Sequence, residues 1–260
     1  MTAKEIYELL LSEATEIWEN TCDGLIAGDE NKSVNNLGVC FKLTSELIAK
    51  ATDLGLDMVI THEGVFSQTD NRSETTDEID LKKWELLDKS GLTVYRFHDH
   101  AHNTEPDYIH AGFIRDVGLE FNHKYERETL GICRYDLTSP LTVRDIAELI
   151  KERLGVEFVR IVGDRDLMVK TVMLGLGGVS VRRFRYLREH GGDLFITGEA
   201  PEVRDCEYIR DMCFFGERKA AILLGHYSAE FAGMKLIAER LDKILPSVYL
   251  DSGEVYRGII

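Results

Sequence analysis

The sequence predicts an α/β protein of two similar fused halves with largely parallel or mixed sheets. Three observations carry this. Short apolar strands alternate with helical patterns along most of the chain, the strand ends reuse a Thr-x-Glu signature in both halves, and 260 residues, 44% of them apolar, suffice for a full-sized core. The 22 glycines and 4 prolines include no run that would serve as a flexible linker. The halves, 1–125 and 126–260, are therefore expected to fuse into one body, with the seam in the polar stretch 118–128.

Element by element, Ile6, Leu9, Leu10, Ala14 and Trp18 follow the helical period, and NLGVCFKL after them predicts a strand. A helix at 44–54, a strand at 57–61, a helix at 78–90, a strand at 92–97 and a helix at 107–117 complete the first half. The second half is predicted as strand 129–137, helix 141–153, strands 156–162 and 169–174, helix 180–190, strand 193–197, helix 201–211, strand 220–224 and helix 228–242. Such alternation predicts a sheet covered on both faces. Thr61-His62-Glu63 and Thr197-Gly198-Glu199 each end an apolar strand, and each is followed by a second strand leading to a histidine, His98 or His226. A duplicated unit explains this echo, as does the general liking of strand ends for Thr, Gly and acidic residues.

The 31 basic and 46 acidic residues give a net charge of −15, which repels a nucleic-acid backbone. The five cysteines (Cys22, Cys40, Cys133, Cys206, Cys213) form no CxxC pair, suiting reduced thiols and a cytoplasmic location. The N-terminal stretch lacks a basic leader, and glutamates interrupt it, so neither a signal peptide nor a membrane span is expected.

The chemistry concentrates in three places. His98, His100 and His102 recur every second residue after a buried strand; they share one face if the strand persists, and line a loop at its carboxyl end if it stops at Phe97. Imidazole binds zinc, iron or manganese near neutral pH, so the trio suggests a metal site, although a polar loop would also explain each histidine singly. His62-Glu63 leaves the strand DMVIT, and His226 and Glu230 follow the strand AAILL. Ser228 is a candidate helix cap, and Glu230 could serve only the helix dipole. Together His62, Glu63, His102, His226 and Glu230 offer three imidazoles and two carboxylates, enough for two metals bridged by a carboxylate. The glycines of Gly175-Leu176-Gly177-Gly178 suit a tight turn better than a phosphate cradle.

These motifs resemble the NIF-three-like, YbgI-type family of dinuclear metal-centre proteins. The family's (I/V)xHH(P/G)xF is similar to Ile60-Thr61-His62-Glu63-Gly64-Val65-Phe66, its HxxxD to His98 through His102, and its GHxxxE to Gly225 through Glu230. Asp23-Gly24-Leu25-Ile26-Ala27-Gly28 and Asp193 through Glu199 match two further family segments, in order. Glu63 stands where the family has its second histidine and His102 where it has aspartate, an exchange that keeps ligand count and charge. The chain has no room for the central domain of longer members.

The resemblance implies two similar α/β halves, two divalent metal ions per subunit (zinc, iron or manganese), and a homohexamer with sites facing an internal cavity. It also implies a metal-dependent hydrolase, related to type-two GTP cyclohydrolase I homologues and opening a cyclic amide, C=N or phosphoester bond of an unidentified small-molecule substrate. His98 is the expected catalytic proton carrier beside the ligands, with His100 not separable from it. A metal-stapled scaffold or regulatory interaction protein is the alternative, favoured by a closed coordination shell over an open one.

Overall fold

The computed structural model describes residues 1–124, 131–178 and 181–256. The chain forms two compact units, Met1–Tyr108 with Gly233–Gly253, and Ile109–Ala232 with Glu254–Ile260. The boundary expected at 125/126, the last part of the expected seam and the start of the predicted strand 129–137 lie outside the described residues. No helix among the described residues is long and apolar enough to cross a membrane.

The first unit begins with α1 (Ala3–Leu11), whose start is closed by a reciprocal capping box between Thr2 and Glu5. Strands β1 (Gly24–Ala27), β2 (Leu37–Lys42), β3 (Met58–Glu63), β4 (Thr93–Arg96) and β11 (Ser247–Tyr249) form a sheet in the order β1-β4-β3-β2-β11. All neighbours run parallel except β1, which runs against β4. Helix α2 (Ser45–Asp53) connects β2 to β3, and α3 (Glu78–Ser90) connects β3 to β4. Cys40, Ile48, Val59, Trp84 and Val94 build the core between the sheet and these helices, so the central strands read as continuous apolar runs.

Helix α4 (Tyr108–Val117) leads into the second unit. There β5 (Phe121–Lys124), β6 (Cys133–Thr142), β7 (Arg160–Gly163), β8 (Met168–Leu174), β9 (Leu194–Thr197) and β10 (Ala220–Leu223) order as β5-β6-β8-β9-β10-β7. The central three are parallel, and the outer pairings are antiparallel. Helix α5 (Val143–Leu154) follows β6; α6 (Val181–Glu189) joins β8 to β9, and α7 (Glu207–Phe214) joins β9 to β10. Helix α8 (His226–Leu241) returns the chain to the first unit.

The internal echo has a topological counterpart. The run β1-β4-β3-β2 of one sheet matches β7-β10-β9-β8 of the other, including the antiparallel edge strand and the helix between successive strands. Two glycines repeat the match. A Cβ on Gly28 would come within 2.6 Å of Thr93 at the start of β4, and one on Gly163 within 2.3 Å of the Lys219 carbonyl at the start of β10. Thr61 and Thr197 repeat it again. The Thr61 hydroxyl accepts from the Leu43 amide beyond β2 at 3.1 Å, and that of Thr197 donates to the Gly177 carbonyl beyond β8 at 3.1 Å.

Four details depart from the expected elements. The N-terminal helix ends at Leu11, because the residues after it turn to other partners: Thr15 donates to the Asn103 carbonyl and Trp18 to the His100 ring. The predicted helix 201–211 opens as a wide π turn over Glu202–Cys206 before α7. Helix α8 begins at His226, so Ser228 lies inside it and does not cap it; the Ser228 hydroxyl donates to Glu254 instead. Strands β1, β5 and β11, three or four residues each, were too short for periodicity to register.

Candidate metal centre

In the first unit, β3 and β4 end side by side, with Thr61 paired to Arg96. His62 and Glu63 are the last two residues of β3, and the loop from Phe97 to Thr104 follows β4. The histidines of that loop do not alternate across one face. His102 donates its amide to the His98 carbonyl at 3.2 Å, a single helical turn that brings His98 and His102 to the same side and sends His100 elsewhere.

Asp23, just before β1, directs this turn. Its carboxylate, fully buried, accepts the amides of His98 (2.6 Å), Asp99 (3.1 Å) and His100 (2.9 Å), and the His100 Nδ1–H at 2.7 Å. The other nitrogen of His100 accepts from the Trp18 amide at 3.0 Å. Both nitrogens of His100 are thus committed to shaping the loop, which separates it from His98.

The remaining imidazoles converge. One ligand atom from each of His62, His98 and His102 falls within 4.8 Å of the others. The rings of His62 and His98 stack at 4.4 Å, and each lies 5.3 Å from the His102 ring. Every ring has its Nδ1 held by an oxygen: His62 by the Phe97 carbonyl at 3.1 Å, His98 by Asp99 at 2.9 Å, and His102 by Asp107 at 3.3 Å. An oxygen acceptor requires a proton on Nδ1, so Nε2 carries the lone pair in the neutral rings of His62 and His102. This is the supporting arrangement that fixes metal-binding histidines. Three nitrogen donors from a largely buried pocket, where His62 is 0% and His102 5% exposed, fit zinc, iron or manganese.

Glu63 stands at the rim, with one carboxylate oxygen 3.5 Å from His98 Nε2 and the other 3.4 Å from Arg96. Burial works against a charge on His98, but hydrogen bonds to Asp99, Cys22 and Glu63 outweigh it, and its pKa is pushed up to about 12. The bond from His98, with those from the Thr21 hydroxyl and the Cys22 amide, outweighs burial and holds the Asp99 carboxyl well below the usual carboxylate range. The pocket therefore favours positive charge.

In the second unit, His226 and Glu230 occupy the first turn and a half of α8. His226 Nε2 lies 3.2 Å from Glu230, and its Nδ1 donates to Glu199 at 3.0 Å. Glu230 is buried. Gly177, at φ +85°, permits this pairing, since a Cβ there would sit 2.4 Å from Glu230 Oε1 and 3.1 Å from His226 Nε2. The Gly175–Gly178 stretch therefore makes room for side chains: Gly175 abuts the Phe195 ring, where a Cβ would approach to 2.5 Å.

Sequence reasoning put His62, Glu63, His102, His226 and Glu230 in one ligand set; the first unit brings His62 to His102 with Glu63 at the rim, and the second brings His226 to Glu230. The same reasoning put His98 beside the ligand group, whereas the geometry sets its ring among the imidazoles. Asp23, Asp99 and Asp107 carried no assigned role. A match of Asp23 to a family segment was the one available signal for the first, and their proximity to the histidines for the other two.

The chain thus has a two-unit α/β fold with a histidine-rich pocket, able to hold a metal ion, at the carboxyl ends of parallel strands. The chain matches the Duf34/NIF3 (NGG1p interacting factor 3) family over residues 1–252 and belongs to it. It is 26% identical over 234 residues to a GTP cyclohydrolase 1 type 2 homolog of Clostridium perfringens (strain 13 / Type A), covering 86% of this chain and 84% of the relative. It is 26% identical over 248 residues to a protein of the same name from Streptomyces coelicolor, covering 90% and 81%. Among solved structures, protein ybgI matches with a TM-score of 0.77 at 21% identity, over 98% of this chain and 100% of that one. Reduced HcgD from Methanocaldococcus jannaschii matches with a TM-score of 0.78 at 20% identity, over 96% and 98%. These structures establish the shared fold.

Proposed function

We propose that this protein is a dinuclear metal-dependent hydrolase acting on a cyclic C–N bond of a small molecule, with GTP the first substrate to test. The observation that carries the reading is the group of three imidazoles, each with Nδ1 anchored to an oxygen acceptor. Such anchoring holds ligands in place before an ion arrives. The family resemblance implies that His226 and Glu230, from the motif Gly225 to Glu230, also serve as ligands, as it does for His62, Glu63 and His102. Divalent ions so held would act as Lewis acids, bringing a water to nucleophilic strength near neutral pH. Glu63, tied to Arg96, would hold its carboxylate ready as a ligand or proton acceptor; His98 would anchor the inner ion through Nε2 or carry a proton. The names of the relatives support GTP as the probe.

The test is metal analysis of the purified protein after loading with zinc, manganese or ferrous iron, together with the ultraviolet signature of purine-ring opening when GTP is added. Two ions per chain and a chelator-sensitive spectral change, both lost in His62→Ala, are expected. Retained metal with no change in GTP would overturn GTP as the substrate, and no metal uptake would overturn the metal centre itself.

A further inference from the structure

A second group of metal-ligand atoms lies against the three imidazoles and uses a sulfur. Cys22, His98 and Asp99 each offer an atom within 4.8 Å of the other two. The cysteine is exposed and carries no disulfide. His98 belongs to both groups, and its two nitrogens look in different directions: Nδ1 lies 2.9 Å from Asp99, while Nε2 lies 3.5 Å from Glu63. The ring is therefore placed to present one nitrogen outward and one inward.

The outer group is also built in advance. Asp99 Oδ2 is occupied by the Thr21 hydroxyl at 2.8 Å and the Cys22 amide at 3.2 Å, which turns Oδ1 toward His98. Asp23 fixes the amides of His98 and Asp99 from the other side. Three donors from two chain segments are thereby held in one place, with the thiol facing solvent. A metal ion replacing the proton between His98 and Asp99 would gain a thiolate, an imidazole and a carboxylate, a donor set suited to zinc and to other thiophilic divalent ions.

We propose that Cys22, His98 and Asp99 form a thiolate-containing site for a divalent ion at the outer edge of the three-histidine pocket, sharing His98 with it. The inference goes beyond the hydrolase reading, because the site needs neither turnover nor His226 and Glu230. Its solvent-facing sulfur is where an incoming ion would first be held.

Cobalt(II) titration of the full chain tests this with a readout specific to sulfur. Bound cobalt shows a near-ultraviolet sulfur-to-metal charge-transfer band only when a thiolate is a ligand, whereas its visible bands report cobalt at either site, so the visible bands that persist in Cys22→Ser report the histidine pocket. The expected result is a charge-transfer band in the wild type that is lost in Cys22→Ser, with one fewer ion bound per chain, and retained in Cys213→Ser. Because Cys22 is exposed, its replacement by serine disturbs no packing. Absence of the band, or its persistence in Cys22→Ser, would overturn the proposal. Visible bands without the charge-transfer band in the wild type would leave the histidine centre standing alone, and loss of every band, visible and charge-transfer, in Cys22→Ser would count against that centre only.

Discussion

The buried carboxylate of Asp23 and the ring of His100, separated by 77 residues, meet at 2.7 Å, and this pairing sets the histidine loop. In Asp23→Asn one acceptor oxygen becomes a donor that faces the amides of the loop. Leaving such buried donors unmatched costs about 1–3 kcal/mol, which a urea unfolding series would read as a lower midpoint at unchanged slope. His100→Gln is expected to lower stability as well, yet to keep the metal content of the wild type, because both nitrogens of His100 serve the loop. His62→Ala should do the opposite, emptying the pocket. Loss of metal in His100→Gln would contradict the division of roles.

Asp107 supports His102 through Nδ1 at 3.3 Å. Removing such an acceptor lets the ring rotate and lowers the basicity of the coordinating nitrogen, typically weakening metal binding by roughly 10–100-fold. Asp107→Ala should show that loss in competition with a chromophoric chelator. Asp107→Asn, which keeps an acceptor oxygen, should recover most of the affinity. Equal losses in the two variants would mean that Asp107 acts through some other contact.

How much of this was legible in the sequence follows from where the information lies. Residue chemistry marked His62 and His102, and the strand ahead of each put them at a sheet edge. Choosing between His98 and His100 needed the loop's period. An extended chain would group all three histidines, whereas the observed turn groups positions four apart, and the turn is imposed by Asp23, remote in sequence. The doubled Thr-x-Glu strand ends were readable and have their counterpart in the two sheets. The edge strand β11 was not: Ser247–Tyr249 is three residues long, and its identity as a strand comes from pairing with β2, not from its own pattern.

Lys83 should give the first unit a pH response above neutrality. Its ammonium, on α3, donates to the carbonyls of Leu43 at 2.7 Å and Val65 at 2.5 Å. Burial, and then the charge of Lys42, lower its pKa; Asp80, Asp70 and Cys40 oppose this, and the value is pushed down to about 8. An unfolded lysine titrates near ~10.4. Between these two values the unfolded chain holds the proton and the folded chain does not, so this group's contribution to stability rises with pH across that window. Below it both states are protonated and the burial penalty is felt in full. Comparing urea unfolding of the wild type and Lys83→Met at several pH values isolates the effect. The variant should show a smaller rise with pH, and an identical slope would refute it.

Gly177 offers a test of the second unit that separates backbone from side-chain effects. Its φ of +85° lies in the left-handed region, and a Cβ there would collide with Glu230 Oε1 at 2.4 Å. Gly191 has a similar φ of +69° but open space around a Cβ. Gly191→Ala therefore incurs only the conformational cost, about 1 kcal/mol. Gly177→Ala incurs that cost and must also displace the Glu230 carboxylate from His226, or shift the Gly177 carbonyl that accepts the amides of Gly198 at 2.9 Å and Glu199 at 3.0 Å. It is expected to be the more destabilising of the two by calorimetry. If Glu230 is a metal ligand, as proposed, Gly177→Ala should also bind less metal after dialysis, while Gly191→Ala keeps the wild-type content. A fall in metal content common to both variants would trace the loss to general destabilisation, and no fall in either would remove Glu230 from the ligand set.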